Sequence, residues 1–314
     1  MTSKNKKTVL VTGALGHIGS RLIREFSPEL VERVVIVDNL LTQRYASLFD
    51  LPPSIHYEFH EDDIRTADFT KYLKGVDAVI HLAAIVDAPS SVEKPEETMD
   101  VNFKGAARVA DACRAAGVPF LFPSTTSVYG SQASLVDETS KELKPQSPYA
   151  DSKLQAEEYL RSLGPKGLRF VICRFGTIFG YSIGMRFQTA VNRFTWQAVV
   201  GTPLTVWKTA WKQKRPYLDL GDCVRSISFI LERDLFNGET YNILTTNATV
   251  EDIVGTIKQF VPTAAINYVD SAIMNQLSYE VSDAKFQALG FAPGGNLAQG
   301  IGGTIDQLRA VRLS

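Results

Sequence analysis

The chain of 314 residues carries 33 Lys and Arg against 34 Asp and Glu, a net charge of −1, with 45% hydrophobic and 21% charged residues. That length and balance suit one large α/β domain, or a domain with a smaller lobe, and they offer no basic field for nucleic acid. Cys113, Cys173 and Cys223 lie far apart with no Cys-x-x-Cys pair, and His17, His56, His60 and His81 show no ligand spacing, so neither a disulfide framework nor a metal site is expected. No apolar run is long enough to cross a membrane, and the one after "MTSKNKK" is too short for a signal-peptide core. A cytoplasmic protein with no membrane partner is the expectation.

In chain order, "TVLVTG" reads as a buried strand, and "HIGSRLIREFS" follows it as a helix. "RVVIVDN", the strand-like "HYEFH" and "DAVIHLAA" supply further strands. "ETMDVNFKGAARVADACRAAG" predicts one long helix ending at Gly117. "PFLFPSTTSVYG" is a strand running into a loop. "SPYADSKLQAEEYLRSLG" is a helix with Ser147 as N-cap and Pro148 in its first position. "RFVICRFG" is another strand. This alternation predicts a Rossmann-type, doubly wound parallel sheet. After Gly176 the pattern turns aromatic-rich and irregular. The reading places residues 1–174 in the dinucleotide-binding domain, with 216–244 returning to it. Residues 175–215 and 245–314 are expected to form the smaller substrate-binding lobe, with Thr249 capping a helix in "TVEDIVGTIKQFV". There is no internal repeat.

"TGALGHIG" sets Gly13, Gly16 and Gly19 between a strand and a helix. Glycines there permit a tight turn and let a pyrophosphate approach backbone N–H groups at the helix start. Asp38 ends the second strand, nineteen residues after Gly19. A carboxylate at that place accepts hydrogen bonds from a ribose and repels a 2′-phosphate, so NAD is expected in preference to NADP. In "EDDIR", Asp63 and Ile64 offer a carboxylate and an aliphatic side chain suited to an adenine amino group and ring face.

Tyr149 and Lys153 are four apart and share a helix face. The helix starts beside them, which puts Tyr149 in the first turn, at the positive end of the dipole. Free tyrosine, with a pKa of about 10, is a poor base at neutral pH. A nearby ammonium stabilises phenolate, so Lys153 is expected to lower the phenol's pKa. "PSTTSVYG" ends a strand at the same sheet edge and offers the hydroxyls of Ser124, Thr125, Thr126 and Ser127. One of these can hold a substrate oxygen and relay its proton to Tyr149.

Together, "TGALGHIG", "VDN", "DDI", "HLAA", "VNFKG", "PSTTSVYG", "PYADSK" and "RFGTIFG" occur in the order found in the NAD-dependent epimerase/dehydratase family. The chain resembles these extended short-chain dehydrogenases, which act on nucleotide sugars. The likeness covers roughly the first 180 residues and extends more weakly through "RPYLDLGDCVRSI" and "ETYNI". It implies Tyr149 as catalytic base, Lys153 as ribose clamp and tuner, and Thr125 as the catalytic hydroxyl. It implies NAD contacts at Gly13, Gly16, His17, Ile18, Gly19, Asp38, Asn39, Asp63, Ile64, Leu82, Ala83 and Ala84. Asn102 matches a structural asparagine in the helix behind the site. Arg215 matches an arginine that in relatives helps hold the nucleotide. A homodimer through the helices containing Asn102 and Tyr149 is also implied, with a nucleotide-diphosphate sugar as substrate.

Two departures bear on the substrate. Relatives read Arg-x-x-Asn-x-x-Gly where Thr177 stands in place of the asparagine, and "Arg-Asp-Phe" is Arg215-Pro216-Tyr217. Thr126, Thr177, Asn192 and Arg215 are therefore the candidate substrate contacts, with Arg186 as a further cation able to meet a phosphate. Dehydratases of the family carry carboxylates just after the catalytic Thr, where this chain has Thr126 and Ser127. Epimerisation at the sugar's carbon 4 needs only the core device and is the expected reaction. Net oxidation or reduction of a sugar, dehydration, and non-catalytic dinucleotide sensing are the alternatives.

Overall fold

The apolar runs of the sequence become the strands of one parallel sheet. The computed structural model describes residues 6–86, 88–132, 135–270 and 278–311, so the ends of the expected domains at 1–5 and 312–314 lie outside the described residues. The strands are β1 (Lys7–Thr12), β2 (Val31–Asp38), β3 (His56–Glu61), β4 (Ala78–His81), β5 (Phe120–Thr125), β6 (Phe170–Phe175) and β7 (Thr240–Ile243). Their order is β7-β6-β5-β4-β1-β2-β3, and every pairing is parallel. Strands β4 to β7 are buried throughout, whereas β3 at the edge alternates between half-buried and exposed residues. That is why only "HYEFH" among the strands reads as polar.

The helices that matter here are α1 (His17–Glu25), α2 (Ala106–Ala116), α3 (Pro148–Leu163), α4 (Ala190–Val199), α5 (Leu220–Arg233), α6 (Val250–Phe260) and α7 (Leu297–Leu308). Successive strand residues point to opposite sheet faces. Val9, Val11 and Ile36 pack with Leu22 and Ile23 of α1 and Ile227 of α5. Leu10, Val35 and Val37 pack with Val109 of α2 and Leu160 of α3 on the other face. Strand β1 lies between β4 and β2, so the winding direction reverses beside it. In such sheets ligands bind beyond the carboxyl ends of the strands at that reversal. The register sets Thr12 opposite both Val37 and His81, and Thr125 opposite Phe175, so the strand ends form one continuous rim.

The smaller lobe is built on Lys214–Asp219, which pairs with Thr246–Thr249 and Thr177–Phe179. Val191 and Phe194 of α4, Ile253 of α6 and Ile301 of α7 form its core. Two boundaries differ from expectation. Tyr217, expected to return to the main domain, lies in the lobe's sheet and core, while Leu218 of the same strand already packs in the main core. Conversely, Phe286 and Phe291 leave the tail and enter the main core, where they pack against Phe229. The expected long helix is also interrupted. Pro95–Met99 is α-helical, Asp100–Gly105 is π-helical, and α2 then runs to Gly117, whose φ of +68° closes it. A π turn widens the helix where Asn102 reaches inward, a distortion that functional sites often carry.

A strap ties the lobe to the end of β1. Beyond Gly180 the chain crosses the first turn of α1. Ser182 Oγ donates to the His17 carbonyl at 2.8 Å, Gly184 N donates to Ser20 Oγ at 2.9 Å, and His17 Nε2 meets the Gly180 carbonyl at 2.8 Å. A Cβ on Gly184 would lie 2.3 Å from the Leu15 carbonyl oxygen and 2.6 Å from that of Gly16. Those are backbone atoms that no rotamer change can move aside. Gly184→Ala should therefore cost roughly 1–3 kcal/mol, in the range of other overpacked sites. Gly303 in α7 is exposed and a Cβ there meets nothing within 4 Å. Gly303→Ala should instead stabilise by roughly 0.5–1 kcal/mol through helix propensity. Urea unfolding of the two variants checks the contrast, and equal shifts would contradict the packing described.

Candidate active site

The turn after β1 is shaped by what glycine lacks. Gly13 has φ +65°, and a Cβ on it would stand 2.5 Å from the Ala83 nitrogen. Gly19 meets Ala14 as closely, at 2.5 Å from its carbonyl oxygen. Gly16 differs, since a Cβ there would come no nearer than 3.3 Å to any neighbouring atom. Gly13 and Gly19 thus lock the turn, while Gly16 is half-exposed and Ile18 packs against the main core. No side chain caps α1 and no acidic residue stands in its first turn. Its leading N–H groups suit an anion. His17 faces elsewhere. It is buried against Gly180, and burial pushes its pKa down to about 4. It joins the turn to the strap as a neutral ring rather than lining the dinucleotide path.

Around the rim, Asp38 receives the backbone N–H of Leu15 at 3.1 Å and of Leu40 at 3.0 Å. Its carboxylate is thereby fixed beside the turn. Asn39 donates to Asp63 at 3.0 Å. Asp63 is also gripped by Arg65, at 2.9 and 2.7 Å, and Arg65's hydrogen bonds hold its carboxyl well below the usual range. The side chain of Ile64 does not face a ligand. It is buried in the core, in contact with Gly105. The expected aliphatic adenine face is therefore not supplied by that side chain. Leu82 and Ala83 donate to Thr12 at 2.9 and 3.3 Å, which presses the Leu82–Ala84 backbone against Gly13. Asn102 accepts from the Ile85 N–H and donates to its carbonyl, both at 2.8 Å, and reaches Ser152 Oγ at 3.2 Å. It holds the β4 loop against α3 from behind.

Ser147 caps α3 by accepting from Ala150 N at 3.2 Å, with Pro148 in the first turn. That cap aims Tyr149 at the rim. Thr125 accepts the Ser127 N–H at 3.1 Å, and its hydroxyl lies near enough to Tyr149 to pull the phenol's pKa down. One Thr125 lone pair is taken, so its own proton is well placed to point at a phenolate. Burial raises the phenol's pKa, while Arg186's charge and the Thr125 hydroxyl pull it down. Arg186 is thus one cation whose charge favours the phenolate. Lys153 donates to the Pro123 carbonyl at 2.8 Å and lies 4.6 Å from the centre of the Phe122 ring.

One further turn along the same face is Glu157, which the sequence reading passed over. It is fully buried and accepts from Arg174 Nε at 2.9 Å and Nη2 at 2.7 Å, and from Ser124 Oγ at 2.5 Å. Burial pushes its carboxyl up, but Arg174 and Ser124 outweigh this and keep it below its ordinary range. Its i+8 spacing from Tyr149 was the available signal.

The lobe's residues reach the same region unequally. Thr126 is buried and donates to the Phe175 carbonyl at 3.3 Å, with Tyr279 Oη 3.4 Å away. Thr177 and Arg215 sit half-buried on adjacent lobe strands. Asn192 does not present its amide outward. It is buried, accepts from Gly180 N at 3.1 Å and donates to the Arg186 carbonyl at 3.0 Å. It shapes the loop that carries Arg186, whose side chain also donates to the Val86 carbonyl at 2.9 Å.

The model of the NAD dependent epimerase/dehydratase family matches residues 9–243, most of the chain. The chain belongs to that family. It is 31% identical to YtcB of Bacillus subtilis (strain 168), an uncharacterized UDP-glucose epimerase, over 96% of this chain and 98% of that protein. Among solved structures it is similar to the UDP-glucuronic acid 4-epimerase of Bacillus cereus, with bound UDP-glucuronic acid and NAD. There the TM-score is 0.87 and the identity 26%, over 96% and 99% of the two chains. It is also similar to the dTDP-glucose 4,6-dehydratase DesIV of Streptomyces venezuelae, at TM-score 0.85 and 25% identity, over 96% and 97%.

NAD is the cofactor of this family, and the residues fit it. The half-exposed Gly16, the uncapped start of α1 and the fixed Asp38 carboxylate match a pyrophosphate and an adenosine ribose. Among the described residues no helix is long and apolar enough to cross a membrane.

Lys153 gives this epimerase/dehydratase site a pH signature. Burial pushes its ammonium down to about 7, with Glu157 opposing. Below about pH 7 it is charged folded and unfolded alike, and the cost of burying the charge is felt in full. Between about pH 7 and 10.5 the unfolded chain holds a proton that the folded chain lacks, so this group makes stability rise with pH. Lys153→Met removes that rise. The variant's advantage in urea unfolding should shrink between about pH 6.5 and about pH 9.5. A constant gap would mean that the buried amine keeps its ordinary proton affinity.

Proposed function

We propose that this protein is an NAD-dependent nucleotide-sugar epimerase acting at the sugar's carbon 4. The observation that carries this reading is the Ser147-capped start of α3, which sets Tyr149 and Lys153 one turn apart with Lys153 bonded to the Pro123 carbonyl of the strand that ends at Thr125. Bound NAD supplies the hydride acceptor and donor. Tyr149 takes the proton from the carbon-4 hydroxyl, and Thr125 holds that oxygen and orients the phenolate. The resulting ketone turns over in the pocket, and Tyr149 returns the proton once the opposite face has been reduced. Lys153 would clamp the nicotinamide ribose.

Support against dehydration comes from the surroundings of the phenol. Elimination needs an acid and a base besides Tyr149. Among the described residues, the buried carboxylate of α3, Glu157, is committed to Arg174. The positions after Thr125 are hydroxyls, and Thr126 is already bonded to backbone. Thr177 and Arg215 are proposed to meet the nucleotide-sugar. The proteins to which this chain is similar include ones named for UDP-glucose and UDP-glucuronic acid, which supports a UDP-sugar. Arg186 favours the second. Its positive charge beside Tyr149 would pair with a sugar carboxylate and would also favour the phenolate. A homodimer through the faces of α2 and α3, in the cytoplasm, completes the proposal.

The test is a panel of UDP-, dTDP-, GDP- and CDP-sugars, neutral and acidic, with products resolved by NMR. One UDP-sugar should convert to its carbon-4 epimer with no net change in NAD redox state. A dehydrated product or net cofactor reduction would overturn the reading. Tyr149→Phe should lower kcat by roughly 10²- to 10⁴-fold, the usual worth of a positioned general base, and leave NAD binding unchanged. Undiminished turnover would remove Tyr149 from the chemistry.

A further inference from the structure

The loop after β2 carries an arginine to the glycine turn. A Cβ on Gly16 would lie 3.8 Å from Arg44 Nη1. The guanidinium thus stands beside Gly16, a half-exposed glycine of the turn. Its position is built into the loop. Ser47 Oγ donates to the Leu15 carbonyl at 2.9 Å, which binds the loop to the glycine turn itself. Arg24 of α1 donates to the Ser47 carbonyl at 2.9 Å and to the Phe49 carbonyl at 2.6 Å. Leu40 and Gln43 take left-handed backbone angles, φ +53° and +51°, which side chains other than glycine rarely adopt. That strain is sustained only where the surroundings hold it.

The group so placed has no carboxylate hydrogen bond. Asp38 acts on Arg44 through charge alone, while its own oxygens receive Leu15 N and Leu40 N. A half-buried guanidinium beside an uncapped helix start is chemically incomplete. Its planar fork of donors matches the oxygens of a phosphate better than any other group at this rim. The resemblance that brings in NAD assigns nothing to this residue.

We propose that Arg44 binds a phosphate oxygen on the adenosine side of the dinucleotide. Asp38 then orients the ribose, and Arg44 holds the neighbouring phosphate. Two phosphates of the cofactor class could supply that oxygen, the pyrophosphate common to NAD and NADP or the 2′-phosphate of NADP alone. The inference rests on the NAD site and not on the sugar reaction proposed above.

Binding of NAD, NADP and adenosine to the full chain is measured by calorimetry with no sugar present. Arg44→Ala should weaken dinucleotide binding by about 10- to 100-fold, the worth of a charge-assisted contact, with adenosine affinity unchanged. Equal losses for NAD and NADP assign the contact to the pyrophosphate, and a loss confined to NADP assigns it to the 2′-phosphate. Unchanged affinity for both dinucleotides overturns the proposal, as does an equal loss for adenosine. If Arg44→Ala fails to fold, Arg44→Lys carries the test. It keeps the charge and loses the fork, and a several-fold weakening for a dinucleotide but not for adenosine is expected. Affinities equal to those of the native chain would again sink the idea.

Discussion

Backbone meets backbone at the end of β1 with no room for a side chain, and the site is built outward from that contact. Gly13 touches the β4 loop, Gly19 touches Ala14, and Gly184 brings the lobe's strap onto Leu15 and Gly16. Each contact removes a Cβ from a place where two peptide planes must pass. The sheet reversal beside β1 supplies the crevice, and the strap supplies one of its walls. The same three hydrogen bonds that dock the strap also set where Arg186 emerges, only two residues after Gly184. Cofactor turn and substrate loop are therefore one mechanical unit, although they lie in different parts of the chain.

Beneath the rim the constraint is electrostatic. Four charged side chains, Lys153, Glu157, Arg161 and Arg174, meet around α3, and Glu157 is bonded to both arginines. Burying a single charge costs several kcal/mol, so such a cluster persists only when each member is compensated. Arg174 and Ser124 satisfy Glu157, and Ser124 is the residue before Thr125. The pair thereby fixes the end of β5 against α3. Lys153 gains only part of the Glu157 field, which is why burial still dominates its proton affinity. An ammonium poised near neutrality responds strongly to any negative group brought beside it.

Much of this was legible because it is local. Ser147 and Pro148 start α3 where the capping pattern requires, and the glycine spacing with Asp38 marks the turn and its carboxylate. What the sequence could not carry was the direction of side chains fixed by distant partners. Ile64 follows an acid in a familiar order, yet Gly105, forty-one residues away, leaves a hole that its side chain fills. Asn192 is a candidate substrate contact by its sequence, yet its amide is taken up by two backbone groups, Gly180 N and the Arg186 carbonyl. Phe286 enters the main core from a segment that reads as lobe, because Phe229 and Tyr241 offer it an aromatic pocket.

The cation beside the phenol changes how the acid–base device is understood. Two positive groups were available to favour phenolate, and in the structure they divide their tasks. Lys153 is tied to a carbonyl and a ring face, and Arg186 acts on Tyr149. Arg186 belongs to the strap and bonds Val86 and Asn192. In this arrangement the identity of the substrate's charged substituent matters twice. A carboxylate near Arg186 would gain an ion pair, and so would share that cation with Tyr149.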